Sequence, residues 1–466
     1  MDSIFQKKLK RVFSPNSIAV IGASDSFEKL GYHVMKSLVL GGYRGCLYPV
    51  NPASERIWGL KAHRSILDIE KEVELAIIVV PAKKSLDVLF ECGKKKVMGA
   101  VIISAGYKET EGDEGKYLEE RMRELSEGLE IPIVGPNTFG FVNVTDKVNA
   151  SFTYEFSLIK EGGTTIISQS GGFCHLIGFL AIEERMGVAK LVGLGNRVNL
   201  DFHHTVRYFL EEDSATKALV LYIEGMDEPR KLFNAISQSK AKKPIIAYKS
   251  AKNVKRDVAS KFHTGSLAGN YKIWKGAFRQ FGILEVADSE ELIDIAKALE
   301  ACPSMRGERV AVLSGQAGPG IIAADVLEKE GLKLANFSEV TQRKIDELLP
   351  PLAIRTNPVD MGPAWYSPKT ILSILKVASD DENTDGILFL NMFASANLKL
   401  VKEMVRILRD LEPFNKPVIA CLCAPPGIWD EEIKEIDGQK GIVVVPTPER
   451  AAKTLANLYR IGSTGR

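Results

Sequence analysis

Short runs of apolar, largely β-branched residues alternate with longer stretches of helical amphipathic period almost from end to end of the chain. Strands are expected at 17–22, 47–50, 75–80, 100–104 and 131–134, then at 164–168, 190–193, 218–223 and 244–248, and again at 309–314, 386–391, 417–421 and 442–445. The runs lack strict alternation, as strands buried on both faces do, and the helical stretches between them suit parallel βαβ crossovers. The expected fold class is therefore α/β, with three doubly wound parallel-sheet domains. A polar stretch at 146–163, ending in KEGG, separates the first two arrays, and CPSMRGE at 302–308 separates the last two. The expected domains are 1–146, 147–301 and 302–466.

Length agrees with this count, since 466 residues make about three domains at roughly 100–200 residues each. Hydrophobic residues are 45% and charged residues 26%, which excludes a disordered or collagen-like chain. Lys+Arg 61 against Asp+Glu 59 leaves a net charge of +2, so no global field calls for nucleic acid or an anionic membrane. Any anion must be held by local chemistry. Cys46, Cys92, Cys174, Cys302, Cys421 and Cys423 show no CxxC spacing and are expected to be buried or half-buried free thiols in a reducing compartment. MDSIFQKKLKRVF lacks a continuous apolar leader core, and runs such as LAIIVVPA fall far short of the roughly 20 residues that span a bilayer. The expected location is the cytoplasm.

Candidate chemistry falls at strand ends. Gly22-Ala23-Ser24 follows a buried strand and opens a helix, where N–H groups and the helix dipole favour phosphate; Gly31 would permit close packing beyond it. The second strand leads to Asn51-Pro52, without the acidic residue that would hold a ribose, so the turn points away from NAD and towards another phosphate-bearing, adenosine-containing ligand. Val80-Pro81, Ser104-Ala105-Gly106 and Gly135-Pro136-Asn137 end further strands on the same edge and would complete one crevice. Ser168-Gln169-Ser170-Gly171-Gly172 is again strand, small turn and helix, suited to a tetrahedral anion, and nothing matches a P-loop.

Among six histidines, His263 sits in a loop of small residues, Lys261-Phe262-His263-Thr264-Gly265-Ser266-Leu267-Ala268-Gly269, with room for its imidazole to meet a bulky anion. Neutral imidazole is a competent nucleophile, and phosphohistidine is one outcome. Glu224, ending the run ALVLYIEG, is a candidate to orient it, as a strand-end Glu is also a common cap or surface charge. Lys249 and Lys252 either offset phosphate charge or are solvated. His203 and His204 read as helix-surface residues, and His175 as a pocket-lining or a structural one. No metal site is expected.

HTGSLAG, with YIEG, SQSG, the GAS turn and Asn357-Pro358-Val359-Asp360, resembles the NDP-forming acyl-CoA synthetase superfamily. Within it, the chain is similar to the α subunits of ADP-forming acetyl-CoA synthetases (acetate–CoA ligases, ADP-forming) over nearly its whole length. The resemblance implies a Rossmann-like CoA-binding domain followed by two flavodoxin-like, succinyl-CoA-synthetase-type ligase domains. It implies the reaction acyl-CoA + ADP + phosphate ⇌ acid + CoA + ATP, through an acyl phosphate and a phosphohistidine. His263 would carry the phosphoryl group, supported by Glu224. Ser168, Ser170 and Gly171 would hold phosphate. Gly22, Ala23, Ser24, Asn51, Val80, Pro81, Ser104 and Gly106 would contact CoA, and Asn137 would face the thioester. The GQAGPG turn at 315–320 matches a further family element.

Two departures bear on the acyl pocket: Thr138-Phe139 where relatives often have Cys-Leu, and Gly172-Phe173-Cys174-His175 after SQSG. No stretch resembles an ATP-grasp nucleotide domain. The implied partner is an ATP-grasp β subunit in an α2β2 heterotetramer, carrying Mg and ADP or ATP. Two other readings stand beside this one: a CoA- or acyl-CoA-binding regulatory module without turnover, and a succinyl-CoA-synthetase-type α subunit, which would normally end after two domains.

Overall fold

In the computed structural model, which describes residues 2–252, 270–394, 397–427 and 430–464, the expected apolar runs form strands. Two compact units divide the chain, Met1–Val286 and Ala287–Arg466.

The first unit holds two large sheets. Strands β1 (Ser17–Ile21) and β2 (Cys46–Val50) precede a small ribbon of β3 (Arg56–Ile57) and β4 (Leu60–Lys61), after which come β5 (Leu75–Ile78), β6 (Gly99–Ile102) and β7 (Ile133–Val134). The order β2-β1-β5-β6-β7 is parallel throughout, and every residue of β1, β5 and β6 is buried. Helices on both faces explain why these runs are apolar without alternation.

The second sheet begins just before the stretch that reads as a linker and takes a strand from within it. β8 (Gly140–Asn143) and β9 (Val148–Ser151) form an antiparallel hairpin joined to β10 (Glu161–Ser168), β11 (Val188–Gly193), β12 (Ala218–Ile223), β13 (Ile245–Lys249) and β14 (Leu284–Glu285) in the order β14-β13-β12-β10-β11-β8-β9. The polarity of the hairpin is structural. Buried Asn143 donates to the Phe13 carbonyl at 2.9 Å, and buried Asn149 donates to the Thr153 carbonyl at 3.0 Å. The N-terminal helix Asp2–Phe13 packs against this sheet's side, the Phe13 ring lying 5.2 Å from Phe141 and 5.0 Å from Phe209. His204 is buried, not on the helix surface: its Nδ1 accepts from the Asp201 N–H at 3.2 Å, and the Phe5 ring packs tilted against it with centroids 5.6 Å apart.

The second unit carries the third parallel sheet: β15 (Arg309–Ser314), β16 (Lys333–Leu334), β17 (Val359–Asp360), β18 (Gly386–Met392), β19 (Val418–Cys423) and β20 (Ile442–Val445). Its order is β16-β15-β18-β19-β20, with β17 beside the end of β15. Helix Ser289–Ala301 packs in this unit, where Asp294 takes a two-pronged bond from Arg450 at 2.8 and 2.7 Å. Of the six cysteines, all free, Cys46 and Cys423 are exposed, against the buried or half-buried positions expected. Among the described residues no helix is long and apolar enough to cross a membrane.

One charged pair is sunk in the second sheet. Lys190 on β11 is 2% exposed and bonds both oxygens of Asp213 at 3.0 Å. Removing one partner strands a buried charge, so Asp213→Ala is expected to cost about 3–5 kcal/mol. Chemical unfolding followed by tryptophan fluorescence checks this; an unchanged midpoint refutes it.

Candidate functional site

The carboxyl edge of the first sheet is built of turns that side chains hold in place. Gly22 has φ +92°, and a Cβ there would stand 2.5 Å from the Val79 carbonyl oxygen. A Cβ on Gly31 would stand 2.0 Å from the Gly22 oxygen, so helix Leu30–Leu40 is pressed onto the turn as the sequence suggests. Asn51 donates through Nδ2 to the Ala23 carbonyl at 2.8 Å and accepts from the Ala53 N–H at 2.9 Å. Ser24 Oγ accepts from the Ser26 N–H at 3.0 Å, and Ser104 Oγ donates to the Val80 carbonyl. Pro81 starts helix Ala82–Lys95, and Gly106, with φ +117°, donates its N–H to Glu109 Oε1 at 2.7 Å. All eight residues expected to contact CoA thus lie along one edge, and several of their polar groups serve the turns themselves.

The second sheet presents the SQSGG turn. Ser168 is fully buried; its Oγ donates to the Ser170 carbonyl at 2.8 Å and accepts from the Ser170 N–H at 3.1 Å. Ser170 is the extended N-cap of helix Gly171–Glu183, its Oγ accepting from the Phe173 N–H at 3.3 Å. The first N–H groups of a helix have no partner within it. At Gly171 and Gly172 there is also no side chain to shield them, and a Cβ at either would meet nothing closer than 3.7 Å.

Ser170, Gly171 and Gly172 line a cavity of about 520 Å³ with Asn137, Leu30, Ile103, Ala105 and Glu109 from the first sheet's edge. The Asn137 end of the first sheet's edge and the SQSGG turn therefore open on one space. Of the expected site residues, Asn137, Ser170 and Gly171 line it; the eight CoA residues, Ser168 and Glu224 do not. Asn137 has φ +54°, and its Nδ2 donates to Asn196 Oδ1 at 3.3 Å. Asn196, which the sequence did not single out, donates in turn to Glu109 at 2.6 Å and Glu119 at 2.8 Å.

One wall is aromatic. His175, Phe139 and Phe152 line the cavity, with ring centroids of the two phenylalanines 5.9 and 5.6 Å from the imidazole. His175 Nδ1 lies 2.9 Å from the Gly171 carbonyl, and a carbonyl only accepts, so Nδ1 carries the proton. Nε2 lies 2.8 Å from Thr153 Oγ1. His175 is thus both a lining residue and a brace for the glycine turn.

Glu224 is 9% exposed and follows β12. Its backbone is pinned twice: Gln169 Oε1 accepts from the N–H groups of Glu224 at 3.0 Å and Gly225 at 3.2 Å, and Lys249 Nζ donates to the Glu224 carbonyl at 2.7 Å. Lys249 is accordingly buried at 1%, and Lys252 pairs with Glu285 at 3.1 Å. His263 and the rest of HTGSLAG lie outside the described residues. In the second unit Asn357 stitches strands together, donating to the carbonyls of Val310 at 2.8 Å and Ala335 at 2.9 Å. No cluster suited to a metal ion occurs among the described residues.

Residues 16–143 match a CoA binding domain family, and residues 161–299 match the succinyl-CoA ligase like flavodoxin domain family. The chain is 38% identical to the acetate–CoA ligase [ADP-forming] II subunit alpha of Pyrococcus furiosus, covering 96% of each. It is 36% identical to the acetate–CoA ligase [ADP-forming] of Methanocaldococcus jannaschii, matching 97% of this chain but 63% of that longer protein. Among solved structures, acetyl-coenzyme A synthetase 1 of Candidatus Korarchaeum cryptofilum, in complex with phosphate and ADP, superposes with a TM-score of 0.89 at 30% identity, covering 97% of this chain and 96% of that one.

Glu109 adds a pH signature. Burial alone would raise its pKa, but hydrogen bonds from Asn196 and from the N–H groups of Gly106 and Tyr107 more than offset this and hold it below 4.5. The stabilisation is complete above the ordinary value and is lost as pH falls through the lowered one. Glu109→Gln should cost about 1 kcal/mol at pH 7 and flatten the fall of stability below about pH 4.5. Urea midpoints measured from pH 3 to 7 test this; parallel curves for the two proteins contradict it.

Proposed function

The chain belongs to the ADP-forming acetate–CoA ligase family, and from that premise we propose that it catalyses acyl-CoA + ADP + phosphate ⇌ acid + CoA + ATP as an α-type subunit through a phosphohistidine at His263. The observation that supports this reading is the single cavity that Asn137, at the end of the first sheet's edge, shares with the SQSGG turn of the second.

Phosphate, held by the N–H groups at Gly171 and Gly172 with Ser170, attacks the carbonyl carbon of a thioester facing Asn137. The C–S bond breaks, and CoA leaves as the thiol with the proton that phosphate gives up. In the acyl phosphate the P–O bond to the acyl oxygen then breaks as an imidazole nitrogen of His263 attacks phosphorus, releasing the carboxylate. ADP takes the phosphoryl group from the histidine as the P–N bond breaks. Ser168 acts through the turn it fastens. Glu224 supports the second imidazole nitrogen, fixing the tautomer and stabilising the charged, phosphorylated ring. Gly22, Ala23, Ser24, Asn51, Val80, Pro81, Ser104 and Gly106 form the edge along which CoA lies, chiefly through backbone groups because Asn51 and Ser104 are spent on the turns.

The nucleotide step belongs to an ATP-grasp β subunit, which supplies the site for Mg and ADP or ATP in an α2β2 assembly in the cytoplasm. The acyl pocket is bounded by Phe139 and His175, at the two positions where the sequence departs from the common family pattern.

Incubation of the purified chain with phosphoryl-labelled acetyl phosphate should place an acid-labile label on His263 and none on a His263→Ala variant. Equal labelling of both proteins rejects the assignment. Glu224→Gln should shorten the lifetime of the labelled histidine about tenfold, equivalent to one charge-assisted hydrogen bond of about 1.5 kcal/mol. An unchanged decay rate removes Glu224 from that role.

A further inference from the structure

The cavity expected to hold phosphate contains no lysine or arginine among its described lining residues. Neutral donors must therefore meet the anion, and most of the side-chain donors present are already committed. Asn137 Nδ2 is turned to Asn196 at 3.3 Å, and Asn196 Nδ2 is shared between Glu109 at 2.6 Å and Glu119 at 2.8 Å. Thr138 Oγ1 donates to the Gly193 carbonyl at 2.6 Å, and the His175 proton is held by Gly171. Gln169 differs. It lines the same cavity, is 3% exposed, and its Nε2 has no hydrogen-bond partner among the described residues.

The orientation of that amide is set by chemistry. Oε1 accepts from two backbone N–H groups, at 3.0 and 3.2 Å. Reversing the amide would set its NH2 group against both donors, so Nε2 is held on the other side. A buried donor without an acceptor is rare in native proteins and calls for an explanation such as a ligand or a catalytic role.

We propose that Gln169 is a catalytic residue of this site, its Nε2 donating a hydrogen bond to a phosphoryl oxygen of the bound phosphate and of the acyl phosphate formed from it. This rests on the reaction proposed above. The same side chain does two things: Oε1 fixes the Glu224-Gly225 turn, and Nε2 meets the charge that moves during phosphoryl transfer. A preorganised donor of this kind is worth about 10²–10³ in rate where it is aimed at developing charge.

Gln169→Glu separates the two roles, because a carboxylate still accepts from Glu224 and Gly225 but has no proton to give. With labelled acetyl phosphate, the initial rate of His263 labelling at pH 8 should fall about 100-fold and recover as pH is lowered towards 5, where the introduced carboxyl regains a donor. The wild type, with the same Glu109, His175 and Glu224, supplies the background pH profile. Gln169→Met, lacking both functions, should be slow at every pH. Wild-type labelling by Gln169→Glu, or a loss that ignores pH, overturns the proposal and leaves Gln169 as a support for the turn. Calorimetry with inorganic phosphate distinguishes this from failure of the parent reading. If the wild type binds phosphate but is never labelled, and Gln169→Glu binds at least tenfold more weakly, the phosphohistidine reading falls and Gln169 stands as a phosphate ligand. Equal binding by both, or none by the wild type, refutes it.

Discussion

Backbone meets backbone where the 135–137 turn of the first sheet passes the 194–198 loop of the second, and the site depends on that seam. A Cβ on Gly195 would stand 2.3 Å from the Pro136 oxygen, and the N–H groups of Asn196 and Val198 donate to the Pro136 and Gly135 carbonyls at 2.9 and 3.1 Å. Asn199 extends the seam by accepting from the Ile133 N–H at 2.9 Å and donating to the Ile131 carbonyl at 2.8 Å, much as an added strand would. Because directional bonds between main chains tolerate little sliding, the two carboxyl edges are held at one separation. The cavity between them is a consequence of that lock. Asn137 and the SQSGG turn can then address the same small molecule although they arise from different sheets.

The electrostatics follow from the near-neutral composition. Cations close to the site are already engaged: Lys108 bonds Glu119 at 2.9 Å, Lys249 bonds two carbonyls, and Arg197 bonds Asp201 at 2.9 Å. In the proposed reaction, anion recognition therefore passes to helix N-terminal N–H groups and amides, which carry partial charge without a buried ion. Neutral donors also suit a reaction in which the anion must arrive, change its bonds and leave, since a buried full charge would hold every state too strongly. Glu109, at the cavity wall, is compatible with a bound anion because Asn196 and two N–H groups already occupy its oxygens.

Legibility in the sequence tracks this division. Strands were readable where both faces are buried, because nothing polar interrupts Leu75–Ile78 or Gly386–Met392 apart from Asn391, next to the last residue. Hairpin β8–β9 was hidden, since its buried Asn143, Asn149 and Ser151 replace backbone partners and mimic the composition of a linker. Turn glycines were readable because close approach at Gly22 and Gly31 admits no other residue. The polar residues beside them were readable by position more than by duty. Ser168, Ser104 and Asn51 occupy the expected edge, yet their side chains close turns, a role that residue type cannot distinguish from ligand contact. Asn196 carried no motif, and Gln169 stood inside SQSG without a role of its own. An uncharged amide becomes conspicuous only once its partners, or their absence, are known.

The third sheet repeats the serine-fastened turn at its own first strand-to-helix junction. Ser314 ends β15 as Ser168 ends β10, and its Oγ donates to the Gln316 carbonyl at 2.5 Å as Ser168 does to Ser170. In both, a strand emerging from a parallel sheet must reverse into a helix within two residues, and a hydroxyl at the strand's last position satisfies the carbonyl that the turn exposes. The helices then differ at their N-caps. Ser170 spends its hydroxyl on the Phe173 N–H, whereas Gln316 makes no side-chain cap and keeps both amide atoms buried without partners among the described residues. The two junctions share a backbone solution and differ in the side chains beside it. The turn follows from the architecture, and what can meet a ligand differs with the residues around it: Gln169 directly follows its serine, whereas Gln316 lies two positions beyond Ser314.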